Sequence, residues 1–257
     1  MVTLNRLPVG ARLVALTGLP LVLVVVALAL ALGGFGDDSR ERARRLHMVS
    51  TQIESRGVKD PVVVAAMREV PRHEFVPVLI RGLAYDDGPL PIGEGQTISQ
   101  PFIVALMTSA IRPRKGMRVL EVGTGSGYQA AVLARCVDEV YTVEVVPKLG
   151  SQAEALLQRL GYRNVHVRIG DGFDGWPEHA PYDAVVLTAA PEKVPQPLID
   201  QLRVGGRLVA PVGRAVQDLV VITRTERGTV TEVIDAVRFV PMTGKAATQS
   251  HSSSRTK

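Results

Sequence analysis

The 257-residue sequence contains one cysteine, Cys136. A single thiol excludes an intramolecular disulfide framework and a cysteine-rich metal site, so no metal is expected. Set in an apolar stretch, Cys136 reads as a small buried hydrophobe. A basic excess is missing where nucleic acid would need one. The net charge is +5, but residues 1–47 hold six Arg against three acids, and residues 245–257 hold three basic residues and no acid. Residues 48–244 carry 21 basic and 22 acidic side chains, so they have no basic footprint of their own. No repeat is present, and the one low-complexity stretch is a polar tail over 245–257 that reads as disordered.

Leu13–Leu32 lacks charged side chains altogether. Its length is about that of a bilayer-spanning helix and exceeds the core of a signal peptide. Three readings fit: an uncleaved anchor, an export signal, or an upstream extension from a misassigned start at a chain that could begin at Met48. Asp37–Arg45 holds more basic residues than the flank before the apolar run, which favours a domain on the cytoplasmic side. The expected organisation is an extension over 1–47, a globular domain over 48–244 and the tail over 245–257. The expected location is the cytoplasm, with possible membrane association through residues 13–32.

Within the domain, Arg118-Val-Leu-Glu-Val-Gly-Thr-Gly-Ser-Gly127 reads as a buried strand and a glycine turn opening a helix. Val140-Tyr-Thr-Val-Glu144 reads as a second strand ending in an acid. Such a unit holds a nucleoside, with backbone close to the ligand at the glycines and a carboxylate on the ribose. The spacing is not that of a dinucleotide site, because the third glycine comes one residue early. No Lys-Ser/Thr pair follows, which excludes a P-loop. A ligand with ribose and adenine but no pyrophosphate fits, which points to S-adenosyl-L-methionine.

Strand and helix patterns alternate from Arg118 onward, as a doubly wound Rossmann-like α/β sheet requires. Strands are expected near 118–122, 140–144, 165–169, 183–188, 207–212, 218–224 and 230–240. The last two leave no room for a helix, so the mostly parallel sheet should carry an antiparallel edge. Upstream, Met48–Arg56 and Asp60–Glu69 read as short helices, the second capped by Asp60-Pro61. Tyr85–Gly95 reads as a Gly/Pro-rich loop, and an apolar helix is expected over Ile103–Ile111.

Several runs match one family in order: Gly95-Gln-Thr-Ile-Ser-Gln-Pro101, Val119–Ala131, Gly170-Asp-Gly172, Tyr182–Pro191, Leu202–Val209 and Val237-Arg-Phe-Val-Pro241. From Met48 to about Thr243 the chain resembles protein-L-isoaspartate O-methyltransferases. Two positions depart from the family's habit: Glu94 stands where an aromatic or His is common, and Val145 where a basic residue is common.

The resemblance implies transfer of a methyl group from S-adenosyl-L-methionine to the free α-carboxyl of L-isoaspartyl residues in damaged proteins and peptides. The ester would then collapse to a succinimide. It also implies cofactor contacts from Gln96, Thr97, Ile98, Gly123, Thr124, Gly125, Ser126, Gly127, Glu144, Asp171 and Gly172. Substrate contacts are implied for Thr97, Ser99, Val237, Phe239 and Val240, with Ser99 as the catalytic residue. Apart from the resemblance, a monomer is expected.

On sequence alone Ser99 is also a plausible helix N-cap. Glu121, inside the first strand, could lie near the cofactor or simply be satisfied by hydrogen bonds. His73, His166 and His179 complete no triad with Ser99. Two other readings are a methyltransferase for a small molecule or RNA, and a cofactor-binding protein without catalysis. Thr188-Ala-Ala-Pro191 stands where an RNA enzyme would usually show an Asn/Asp-Pro-Pro-aromatic motif.

Overall fold

A computed structural model describes residues 39–247. Two compact units divide at Ala43/Arg44. In the first, residues 39–43 are described and are helical. The apolar run 13–32 lies outside the described residues, and among those described no helix is long and apolar enough to cross a membrane.

In the second unit, seven strands form one sheet. They are β3 (Arg118–Val122), β4 (Glu139–Glu144), β5 (Val165–Ile169), β6 (Tyr182–Leu187), β7 (Leu202–Gly213), β8 (Gln217–Thr225) and β9 (Gly228–Val237). The order is β5-β4-β3-β6-β7-β8-β9, parallel through β7 and antiparallel at β7–β8 and β8–β9. The expected doubly wound sheet with an antiparallel edge is therefore present. The reversed strand is β8, and β9 closes the sheet as the outer arm of a hairpin. Apolar runs make the central strands: every residue of Val119–Val122 and Ala184–Leu187 is buried, as a sheet covered on both faces demands.

The helices of this unit are α1 (the helical residues 44–48), α2 (Pro61–Glu69), α3 (Pro101–Ala110), α4 (Tyr128–Cys136), α5 (Pro147–Arg159) and α6 (Gln196–Asp200). Asp60 caps α2 as expected, accepting from the Val62 and Val63 amides at 2.9 and 3.2 Å. The helix expected over Met48–Arg56 is instead a π-helical turn, Val49–Ile53, followed by a 3₁₀ turn, Glu54–Arg56. Thr51 and Ser55 return their hydroxyls to carbonyls four residues back, at 2.8 and 2.5 Å, which competes with regular α pairing.

Two expectations are corrected. The loop over Tyr85–Gly95 contains a strand, because β1 (Leu90–Gly93) and β2 (Gln96–Ile98) form an antiparallel hairpin. Its prolines mask the pattern, since a proline pairs only on an edge. The tip needs left-handed backbone at Glu94 (φ 52°) and Gly95 (φ 70°). The tail expected to be disordered from 245 begins docked, with the Lys245 amide donating to Asp171 Oδ2 at 2.8 Å. The compact unit that holds the sheet starts at Arg44, four residues before Met48. Arg45 is buried, donating from Nε to the Arg68 carbonyl at 2.7 Å and from a terminal nitrogen to the Tyr85 hydroxyl at 3.3 Å.

A polar thread runs through the core. Glu121 on β3 is fully buried and accepts from the Thr142 hydroxyl at 2.5 Å, while the Thr142 and Thr124 hydroxyls stand 2.7 Å apart. Glu121 Oε1 has no partner among the described residues. Burial pushes the carboxyl up to about 8; the Thr142 donor opposes the shift and the Glu144 charge adds to it. Glu121 is therefore protonated at neutral pH.

Two predictions follow from this packing. The folded pKa of Glu121 lies above its ordinary 4.5, so its neutral form is compatible with the fold and its charge is not. Stability should fall by a few kcal/mol as pH rises from about 4.5 to about 8. Glu121→Gln should flatten that fall in denaturant titrations, and an unchanged slope would contradict the burial argument. A chain starting at Met48 should unfold about 1–3 kcal/mol more easily than one starting at Arg44, because it lacks the buried Arg45 bonds. Equal midpoints would show that Arg45 contributes nothing.

Candidate active site

Strand order reverses between β3 and β6, so their carboxyl ends part and open a crevice, the place where such sheets take ligands. The glycine turn enters it directly. Gly123 adopts φ 100°, and a side chain there would collide with the Thr188 hydroxyl at the end of β6. That hydroxyl donates to the carbonyls of Val122 and Gly123 at 3.1 and 2.5 Å, and the Thr188 amide donates to Val122 at 3.0 Å. Gly125 (φ 53°) turns its amide onto Glu144 Oε2 at 2.7 Å, while Oε1 accepts from the Val146 amide at 2.9 Å. Glu144 is 5% exposed, and its carboxylate faces the crevice between the glycine turn and the start of α5.

The crevice wall contains Gln96, Thr97, Ile98, Gly123, Thr124, Gly125, Ser126, Glu144, Asp171 and Gly172, ten of the expected cofactor residues. Gly127 is not among them. It ends the turn at φ 86°, and a Cβ there would press on Leu157 and Ala153 of α5, so this glycine serves packing. Glu121 is also absent from the wall. Asp171 accepts from the Phe173 amide at 2.9 Å as well as from Lys245, and Gly172 has no room for a Cβ against Val122.

A second cavity adjoins the first. Thr97, Ser99, Val237, Phe239 and Val240, all the expected substrate residues, line it together with Pro89, Ile103, Val216 and Arg238. Thr97, Ser99, Thr188 and Val240 belong to both walls. Ser99 stands at the junction, half-buried, after β2 and before α3. It does not cap α3: the N-cap is Gln100, with no side-chain cap bond. Its hydroxyl has no hydrogen-bond partner among the described residues.

The segment after β9 roofs both cavities. Gln217 clamps it, accepting from the Phe239 amide at 2.6 Å and donating to the Phe239 carbonyl at 3.1 Å. Ala190 then receives it in a parallel bridge: its amide donates to the Val240 carbonyl at 2.8 Å, and the Met242 amide donates to the Ala190 carbonyl at 2.8 Å.

Thr188, Arg238, Met242, Thr243 and the clamp Gln217 were not singled out as site residues from sequence. Thr188 and Arg238 lie inside runs that carry the family pattern, but Gln217 has no sequence signal, since its role exists only once β8 and the roof are side by side. Among the described residues no group of three or more His, Cys, Asp or Glu could hold a metal ion.

The donor set fits a nucleoside with a thioether chain. A carboxylate stands at the tip of β4 for a diol, and Val122, Val145, Val146, Ala189 and Met242 give apolar wall without a cationic phosphate grip.

A family model for protein-L-isoaspartate(D-aspartate) O-methyltransferase matches residues 43–247. A relative from Gloeobacter violaceus named protein-L-isoaspartate O-methyltransferase is 60% identical over 198 residues, covering 76% of this chain and 97% of its own. One of that name from Methanoculleus marisnigri is 53% identical over 205 residues, covering 79% and 93%. A solved protein-L-isoaspartate O-methyltransferase superposes with a TM-score of 0.70 at 32% identity, covering 80% of this chain and 67% of that one. A putative Plasmodium falciparum enzyme of that name, solved with S-adenosyl-L-homocysteine, shares the fold with a TM-score of 0.66 at 24% identity, covering 77% and 98%. The chain therefore belongs to the protein-L-isoaspartate(D-aspartate) O-methyltransferase family and is an S-adenosyl-L-methionine-dependent enzyme that methylates isoaspartyl residues of damaged proteins.

Proposed function

We propose that the two cavities divide this reaction at Ser99, the crevice holding the cofactor and the adjoining groove holding the isoaspartyl segment. The observation that carries this reading is the shared wall: Ser99, Thr97, Thr188 and Val240 face both spaces. Glu144 would take the ribose hydroxyls, Asp171-Gly172 the adenine, and Gln96–Ile98 with the glycine turn would enclose the rest. When bound, S-adenosyl-L-methionine supplies an electrophilic methyl on a sulfonium.

The acceptor carboxylate is anionic at neutral pH, so the chain needs no general base. Its residues must align the acceptor oxygen, exclude water and replace lost hydration with fixed donors. The unpartnered Ser99 hydroxyl suits that donor role, and Arg238, exposed on the groove wall, gives the groove positive potential. Backbone of Val237–Val240 would receive the damaged peptide.

We further propose that residues 44–247 are the catalytic unit, acting as a monomer in the cytoplasm. Residues 13–32 would tether it to a membrane, a reading supported by their charge-free length.

Ser99→Ala should lower kcat for an isoaspartyl peptide by about tenfold or more while leaving S-adenosyl-L-homocysteine affinity unchanged. An equal loss of cofactor affinity would move Ser99 to the other cavity. Gly123→Ala should instead abolish S-adenosyl-L-homocysteine binding in calorimetry, because the new methyl meets the Thr188 hydroxyl. Retained binding would show that the turn can shift without harm.

A further inference from the structure

The parallel strands have a second end, opposite the crevice. There α3 finishes at Ala110, and the chain passes through Arg112-Pro-Arg-Lys-Gly116 before entering β3. Arg112 (φ 53°) is one of two non-glycine residues with positive φ among those described. A side chain adopts that region only at a cost, so the surrounding structure must enforce it.

Arg112, Arg114, Arg203 and Arg207 line a cavity of about 330 Å³ with Asp183 and Thr223. Arg207 is fixed by a bond from Nε to the Ala110 carbonyl at 2.7 Å. Burial, and after it the charge of Arg112, hold the Arg207 guanidinium below its ordinary pKa, with Glu232 opposing. The local carboxylates do not resolve this crowding. Asp183 is already engaged on both oxygens, by Arg203 Nε at 2.8 Å and by the Arg118 amide at 2.7 Å. Glu232 on β9 is a single charge against the four guanidiniums. The Arg112 amide donates to the Ser109 carbonyl at 2.9 Å, and its guanidinium has no hydrogen bond or ion pair among the described residues.

A cavity that gathers like charges, one of them on strained backbone, is complementary to an anion. Guanidinium forks match tetrahedral oxyanions two bonds at a time, which a chloride ion cannot exploit. The volume is near the lower end of small-molecule sites, about 300 Å³, so the ligand is compact. We propose that this cavity binds a phosphate-class dianion, either free or as the phosphoryl group of a small metabolite, on Arg112, Arg114 and Arg207. The site is separate from the methyl-transfer crevice and does not depend on the roles assigned there.

The test uses the full chain at low ionic strength. Inorganic phosphate, pyrophosphate and glycerol phosphate are titrated by calorimetry and in thermal unfolding, with chloride matched for ionic strength. Saturable binding and a raised midpoint are expected with at least one phosphate and not with chloride. Preference for free phosphate or for the ester identifies the source. Arg112→Gln removes no internal contact, and should weaken binding about tenfold, the effect of one charge-assisted bond, with S-adenosyl-L-homocysteine affinity unchanged. Arg207→Lys, which loses the fork and the Ala110 bond, should weaken it further. No saturable binding at millimolar phosphate, or binding equal in wild type and Arg112→Gln, would overturn the assignment.

Discussion

The contact between Gly123 and Thr188 is the constraint on which the active-site geometry depends. It joins the carboxyl ends of β3 and β6 where strand order reverses, so it fixes how far the two halves of the sheet part. Thr188 ties the two ends with its amide and its hydroxyl, and the hydroxyl occupies the space that a Gly123 side chain would need. From that point the glycine turn leads to Glu144 through the Gly125 amide. The same end of β6 leads to the roof through Ala190, two residues on. Floor, wall and roof of the site are thus referred to one backbone junction.

Buried polar groups reinforce the junction. Glu121, Thr142 and Thr124 connect β3, β4 and the glycine turn inside an otherwise apolar sheet, with the carboxyl neutral because burial opposes its charge. Glu144, one strand end away, instead accepts two backbone amides and sits at the cavity wall. Two glutamates a few residues from the same turn therefore have different tasks. Arg72, also fully buried, packs at the start of α4, with its guanidinium 4.8 Å from the Tyr128 ring and its Nε on the Ala84 carbonyl.

Much of this was legible in the residues. Continuous Val/Leu runs place β3 to β6 within a residue or two, since strands buried on both faces leave a strong pattern. The Asp60-Pro61 cap is local chemistry and reads directly. The β1–β2 hairpin was not legible: Pro-Leu-Pro-Ile reads as a breaker until β2 is paired to it. The docked start of the tail depends on Asp171, 74 residues away, and the packing of the residues before Met48 depends on Arg45 reaching Arg68 and Tyr85. Glycine spacing located the turn that enters the crevice but could not separate Gly125, in the crevice wall, from Gly127, which packs on α5. Ser99 was ambiguous between cap and active-site donor until the helix start at Pro101, with Gln100 as N-cap, removed the cap.

The measurement that bears most directly on the central claim is methyl transfer from labelled S-adenosyl-L-methionine to two peptides that differ at one residue. One carries L-isoaspartate and the other normal aspartate. The account predicts base-labile methyl ester on the isoaspartyl peptide alone. Equal labelling of both peptides, or labelling of neither while S-adenosyl-L-homocysteine still binds, would contradict it.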